Sequence, residues 1–149
     1  MINGIKFEIS NKPEKYLFEI LENINLIKYK WYIEDDEVYY NDTYENLFAS
    51  NKISGEELYK KISKEKYYII NINLLGYKIY NSSNEKIESY EDFLNSKYEI
   101  MLVIYDSINC EIYLKDDILF TKVYKSLEEK KFKPLYITEK NVRNKINIF

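Results

Sequence analysis

Four consecutive acids, Glu34, Asp35, Asp36 and Glu37, interrupt an aromatic-rich stretch that reads "WYIEDDEVYY" over residues 31–40. Carboxylates at that density suit a metal site, a contact for a basic partner, or a solvated turn. A calcium ion asks for about six to eight converging oxygens from spaced acids and a turn glycine. Four adjacent side chains in a short turn cannot all point inward, so no metal is expected here. The flanks alternate, with Ile27, Tyr29, Trp31 and Ile33 on one side and Val38 and Tyr40 on the other. Asp is comfortable in turns, and the spacing predicts a β-hairpin with the tetrad at its tip. Such a tip either blocks edge aggregation as solvated charge or meets a basic surface that relieves crowded like charges. Trp31 and Tyr39 join the tetrad as candidate partner contacts. Trp is enriched at binding hot spots, and one of Tyr39 and Tyr40 must face solvent on an alternating strand. For Trp31 the spacing also describes ordinary core packing, which is the stronger reading.

Other chemistry is narrowed by absent residue types. With no His, the Ser-His-Asp and Cys-His routes to a nucleophile are closed, as are His-ligated metal sites. Gly4, Gly55 and Gly76 are too scattered for a phosphate-binding loop or a dinucleotide fingerprint. An Asp followed by Glu-x-Lys on a hairpin would suit a metal-dependent nuclease. Asp106 and Glu111 fit, but position 113 is Tyr where Lys is needed. A glycosidase-like carboxylate pair is assembled by the fold and leaves no local signal. Cys110 alternates with Ile112 and Leu114, which predicts a buried, inert thiol, and a lone Cys forms no intrachain disulfide. No catalytic residue and no cofactor is assigned.

The net charge is −3 and the pI near 5.2. The acidity sits in the first third: residues 1–50 carry 10 acids against 5 Lys, and residues 101–149 are net +2. Nucleic-acid binding is disfavoured, because phosphate contacts supply most of that affinity. The 17 Tyr do not reverse this, since Tyr, Ile, Asn and Lys together are what A/T-rich codons give. No apolar run reaches the length of a membrane helix, and the N-terminus lacks a signal peptide's apolar core. The expected setting is the reducing cytoplasm.

These residues need a scaffold of alternating strands and short helices. "GIKFEI" reads as a half-buried strand. "NKPEKYLFEILENI" reads as a helix capped by Asn11, with Glu14 three residues on and Pro13 in its first turn. Strands "LIKYKWYI" and "VYYN" flank the tetrad. Ser54 with Glu57 opens a second helix, and "YYIININLL" follows as a strand with Ile70, Ile72 and Leu74 on one face. Gly76 marks a bend or bulge, and "NSSNEK" is a loop. Ser89 with Asp92 opens a third helix. "YEIMLVIY", apolar at nearly every position, belongs in the sheet centre, and "CEIYLK" returns beside it through "DSIN". Asp116 and Asp117 open the last helix, with "KPLYIT" and "KINIF" as closing strands. The expectation is a single two-layer α+β domain over residues 1–149. Its sheet is mixed but mainly antiparallel, with helices packed on one face.

"GIKFEI" leading into "YLFEIL", then "KYKWYI" and "EVYYND", then "SYEDFLNS" before an apolar strand and "DS", resembles a family of small bacterial proteins. It is catalogued as domain of unknown function 2691. The resemblance implies a standalone intracellular domain from a low-GC bacterium and transfers no activity and no functional residue. The expected function is a small, non-catalytic interaction protein that neutralises or regulates a basic protein partner, much as immunity proteins do. An enzyme with a fold-assembled carboxylate, Lys or Tyr site is the alternative, as is a structural subunit of an assembly.

Overall fold

The computed structural model describes residues 2–78 and 86–138. Among these, seven strands form one sheet in the order β3-β2-β4-β5-β6-β1-β7. These are β1 (Gly4–Glu8), β2 (Lys30–Tyr40), β3 (Lys52–Ser54), β4 (Tyr67–Tyr77), β5 (Tyr98–Tyr105), β6 (Asn109–Leu114) and β7 (Leu135–Tyr136). Every neighbouring pair is antiparallel. Four helices pack against it: α1 (Tyr16–Leu21), α2 (Gly55–Lys64), α3 (Tyr90–Asn95) and α4 (Asp117–Glu129). The fold is α+β, as expected.

β5 lies fourth of the seven strands, where its unbroken apolar run belongs. Ile100, Leu102 and Ile104 face one layer, with Leu17, Ile20 and Leu21 of α1, Leu58 and Ile62 of α2, and Phe120, Val123 and Leu127 of α4. Met101 and Val103 face the opposite layer, where Phe93 of α3 packs with Leu75, Ile87, Tyr98, Tyr113 and Ile137. Thus α1, α2 and α4 cover one face and α3 sits on the other. A strand apolar on both faces needs cover on both.

Local caps formed where the sequence carries them. Ser54 Oγ accepts from the Glu57 amide at 3.1 Å and Ser89 Oγ from the Asp92 amide at 3.1 Å. Asp116 accepts from the Ile118 and Leu119 amides. The first helix is the exception. Asn11 does not cap it, because Glu14 exchanges backbone bonds with Tyr67 and keeps that stretch extended. The helix begins only at Tyr16, where the Tyr67 hydroxyl accepts from the Phe18 amide at 3.3 Å and donates to the Ile62 carbonyl at 2.9 Å. One phenol thus ties the start of α1 to the end of α2. Leu26–Lys28 form a 3-10 turn instead of strand, which leaves Ile27 exposed and outside the face predicted for it. "KINIF" and all of "NSSNEK" but Lys86 lie outside the described residues.

The predicted hairpin at the acidic tetrad does not form. β2 runs through it as one strand of 11 residues, and both halves pair with β4. The register is Ile33 to Leu74 and Glu34 to Asn73, shifts at Glu37 to Asn71, and is regained at Val38 to Ile69. Each strand changes phase across this irregularity. Trp31 and Ile33 share a face with Val38, while Ile72 and Leu74 share it with Tyr67 and Ile69. Ile70 leaves the face predicted for it for that reason. Both a turn and a bulge break alternation with polar residues, and Asp suits either one.

Candidate binding surfaces

At the bulge, Asp35 takes φ 49°, a left-handed conformation that Asp tolerates better than most residues. The Asn71 side-chain amide donates to the Asp35 carbonyl and holds the turn of chain in place. Asp35 and Glu37 are exposed, whereas Glu34 and Asp36 are half-buried. Burial raises the Glu34 carboxyl above its ordinary range, the Asp35 charge adds to this, and Lys86 opposes it. Burial also raises Asp36, against a backbone hydrogen bond that lowers it. The outer side of β2 is covered by β3 at Lys30–Tyr32, and Ile33 N–H donates to the Asn51 carbonyl at 2.8 Å. Among the described residues, the next outer backbone bond is Leu47 N–H to the Val38 carbonyl. The acids therefore occupy a stretch of strand edge that no backbone bond of the described residues covers. Among the described residues, no three His, Cys, Asp or Glu side chains gather as a metal ion would require.

The other two sequence candidates part company. Tyr39 is half-buried beside the bulge and pairs across to Tyr68. Trp31 is 0% exposed, and its indole N–H donates to the Leu26 carbonyl at 3.1 Å. Its ring faces Gly76, where any Cβ would come within 2.9 Å of it. Trp31 is therefore a core residue with no surface to offer a partner, unlike the contact expected of it. Cys110 is likewise buried, and burial pushes its thiol up, away from the reactive thiolate.

A second polar cluster escaped the sequence reading. On the α3 face, Glu111 is 6% exposed and accepts from Tyr113 Oη at 2.6 Å and from Tyr105 Oη at 3.1 Å. Tyr113 is the residue that stood where a nuclease would need Lys. Burial first, then the Glu111 charge, raises its phenol, so it stays a proton donor. In the same cross-strand row, Asn73 is 0% exposed, and neither atom of its amide has a hydrogen-bond partner among the described residues.

A third site lies at the opposite end of the sheet. Lys6, Glu8, Ser10, Lys131, Phe132, Lys133 and neighbouring side chains line a groove of about 560 Å³. More than 100 residues separate its two halves, so no local spacing could announce it. α4 ends there in a Schellman turn: the Phe132 amide donates to the Leu127 carbonyl and the Lys131 amide to the Glu128 carbonyl, both at 3.0 Å. Lys131 takes the left-handed position usual for Gly, with φ 65°.

Residues 2–147 match the model of a family described as "Protein of unknown function (DUF2691)". The chain belongs to this family. The DUF2691 resemblance carried by short motifs thus extends over nearly the whole length. The chain is also similar to an "Uncharacterized protein YncE" of Bacillus subtilis (strain 168), 25% identical over 146 residues and covering 95% of each. No solved structure matches. Among the described residues of this DUF2691 chain, no helix is long and apolar enough to cross a membrane.

Proposed function

We propose that the chain is a small, cytoplasmic, non-catalytic interaction protein that docks a basic protein partner on the β2 bulge. The partner is regulated or neutralised by that contact, as immunity proteins act on theirs. The observation that carries this reading is the acidic stretch of strand edge at Glu34–Glu37, left uncovered among the described residues. Two of its carboxylates are already partly desolvated and raised, so a cation brought against them relieves an existing strain. Glu34, Asp35, Asp36, Glu37 and Tyr39 form the contact. A catalytic reading has less support, since the carboxylate–phenol cluster at Glu111 is buried in the sheet among aromatic rings.

Affinity purification of the tagged chain from its native cell, followed by mass spectrometry, should recover a basic protein. The combined substitutions Glu34→Gln, Asp35→Asn, Asp36→Asn and Glu37→Gln should slow association about tenfold and flatten its salt dependence. Asn keeps the left-handed conformation accessible at position 35, so the fold should survive. Unchanged affinity and association rate would reduce the tetrad to a guard against edge pairing.

A further inference from the structure

We infer that the groove between β1 and the α4–β7 connection binds an extended, acidic peptide segment, which adds a strand to β1 where β7 leaves its edge open at Glu8. The strand pairing decides which backbone groups point there. Ile9 N–H donates to the Ile108 carbonyl and Leu114 N–H to the Asn3 carbonyl, so the odd residues of β1 bond inward to β6. The even residues face outward: the Gly4 carbonyl accepts from Ile137 N–H at 2.9 Å, and Lys6 pairs with Leu135. The ladder then stops. Continued in the same register it would set Lys133 opposite Glu8, but Lys133 takes φ 54° and turns the chain away from β1. Among the described residues, none bonds the outward backbone N–H and C=O of Glu8, which face the groove as a one-step template for strand addition.

The side chains set the sign of the occupant. Lys130 is already committed, with Nζ 2.5 Å from Glu22 Oε1 and 2.5 Å from the Glu19 carbonyl, and it clamps the turn to α1. Lys6, Lys131 and Lys133 are exposed on the rim and make no ion pair among the described residues. Against them stands one lining acid, Glu8. Phe132 is half-buried and fixed by Phe7 at 5.6 Å and Tyr16 at 6.4 Å, and Leu135 is 64% exposed beside it. An occupant with acidic residues toward the rim and an apolar one toward Phe132 and Leu135 meets each of these groups. Left-handed backbone is strained at a non-Gly residue, and here it occurs twice, on either side of Phe132. Both strained residues are lysines on the rim.

The test uses fluorescence anisotropy with a labelled Asp-Ile-Glu-Val-Asp peptide on the full chain. Binding that weakens with salt is expected, with a loss of about tenfold in the Lys131→Gln, Lys133→Gln double variant at unchanged Tm. The same peptide N-methylated at alternate amides should lose binding, because strand addition needs those groups. The proposal is overturned if Lys-Ile-Lys-Val-Lys binds as well, or if the double variant binds normally. It is equally overturned if the methylated peptide is undiminished, or if citrate displaces the probe at equal charge, which would make the groove a simple anion site.

Discussion

Cys110, Ile112 and Leu114 leave β6 toward a large apolar layer and three helices, while Glu111 and Tyr113 leave the same strand toward a smaller, tyrosine-rich layer in which they bond to each other. The first layer is held by apolar area and close packing, which tolerate no void. The second layer depends on whether its polar atoms find partners, and it contains both outcomes. Glu111 is held by two phenols, and Asn73, two strands away in the same row, has neither atom of its amide bonded among the described residues. Packing and polar satisfaction are therefore separable within one sheet, and substitutions on each side should respond differently.

Ile112→Ala should produce the largest loss, about 3–4 kcal/mol in denaturant unfolding, because the close-packed layer cannot collapse around the void. A cost near 1 kcal/mol would mean that this face is loosely packed. Tyr113→Phe should cost about 2 kcal/mol by removing the shorter donor to a buried carboxylate, and Tyr105→Phe should cost less. Alkaline pH probes both layers at once. The folded chain keeps protons on Cys110 and Tyr113 that the unfolded chain releases above about 8.5 and 10 respectively. Stability should thus be full below those values and fall as pH rises through them, by about 1.4 kcal/mol per unit for each group titrating. Cys110→Ala should remove the earlier part of that fall in a urea series from about pH 8 to 11, the span that brackets both ordinary values. Asn73→Leu should be the smallest effect and opposite in sign, a gain of about 1 kcal/mol, since an unbonded amide gives way to an apolar group of similar size. A loss at that position would show that the amide makes a bond in the folded chain.

What could be read from the residues followed the range of the interactions. The caps at Ser54, Ser89 and Asp116 involve partners two or three residues away, and each formed as predicted. The central place of β5 was legible because it is apolar at both phases. The start of α1 was not, since Glu14 is held by Tyr67, more than 50 residues later. For the tetrad, the change of phase between Ile33 and Val38 was visible, and a hairpin was the local explanation. The missing clue was that "YYIININLL" changes phase too, and only pairing the two strands turns these breaks into one bulge. The groove lysines had no local signal, because the fold alone brings Lys6 to Lys131 and Lys133.

The matched irregularity of β2 and β4 also constrains how this chain can vary in length. Removing one residue at the irregularity from either strand alone would restore plain alternation in that strand, keeping Val38 or Ile69 on its present face, and would leave its neighbour with an ordinary one-residue bulge. Removing one residue from each would straighten both ladders together and return every side chain to its own layer. Within this sheet, a one-residue deletion is absorbed between Ile33 and Val38 or between Ile69 and Ile72, whereas one elsewhere in either strand reverses every side chain beyond it.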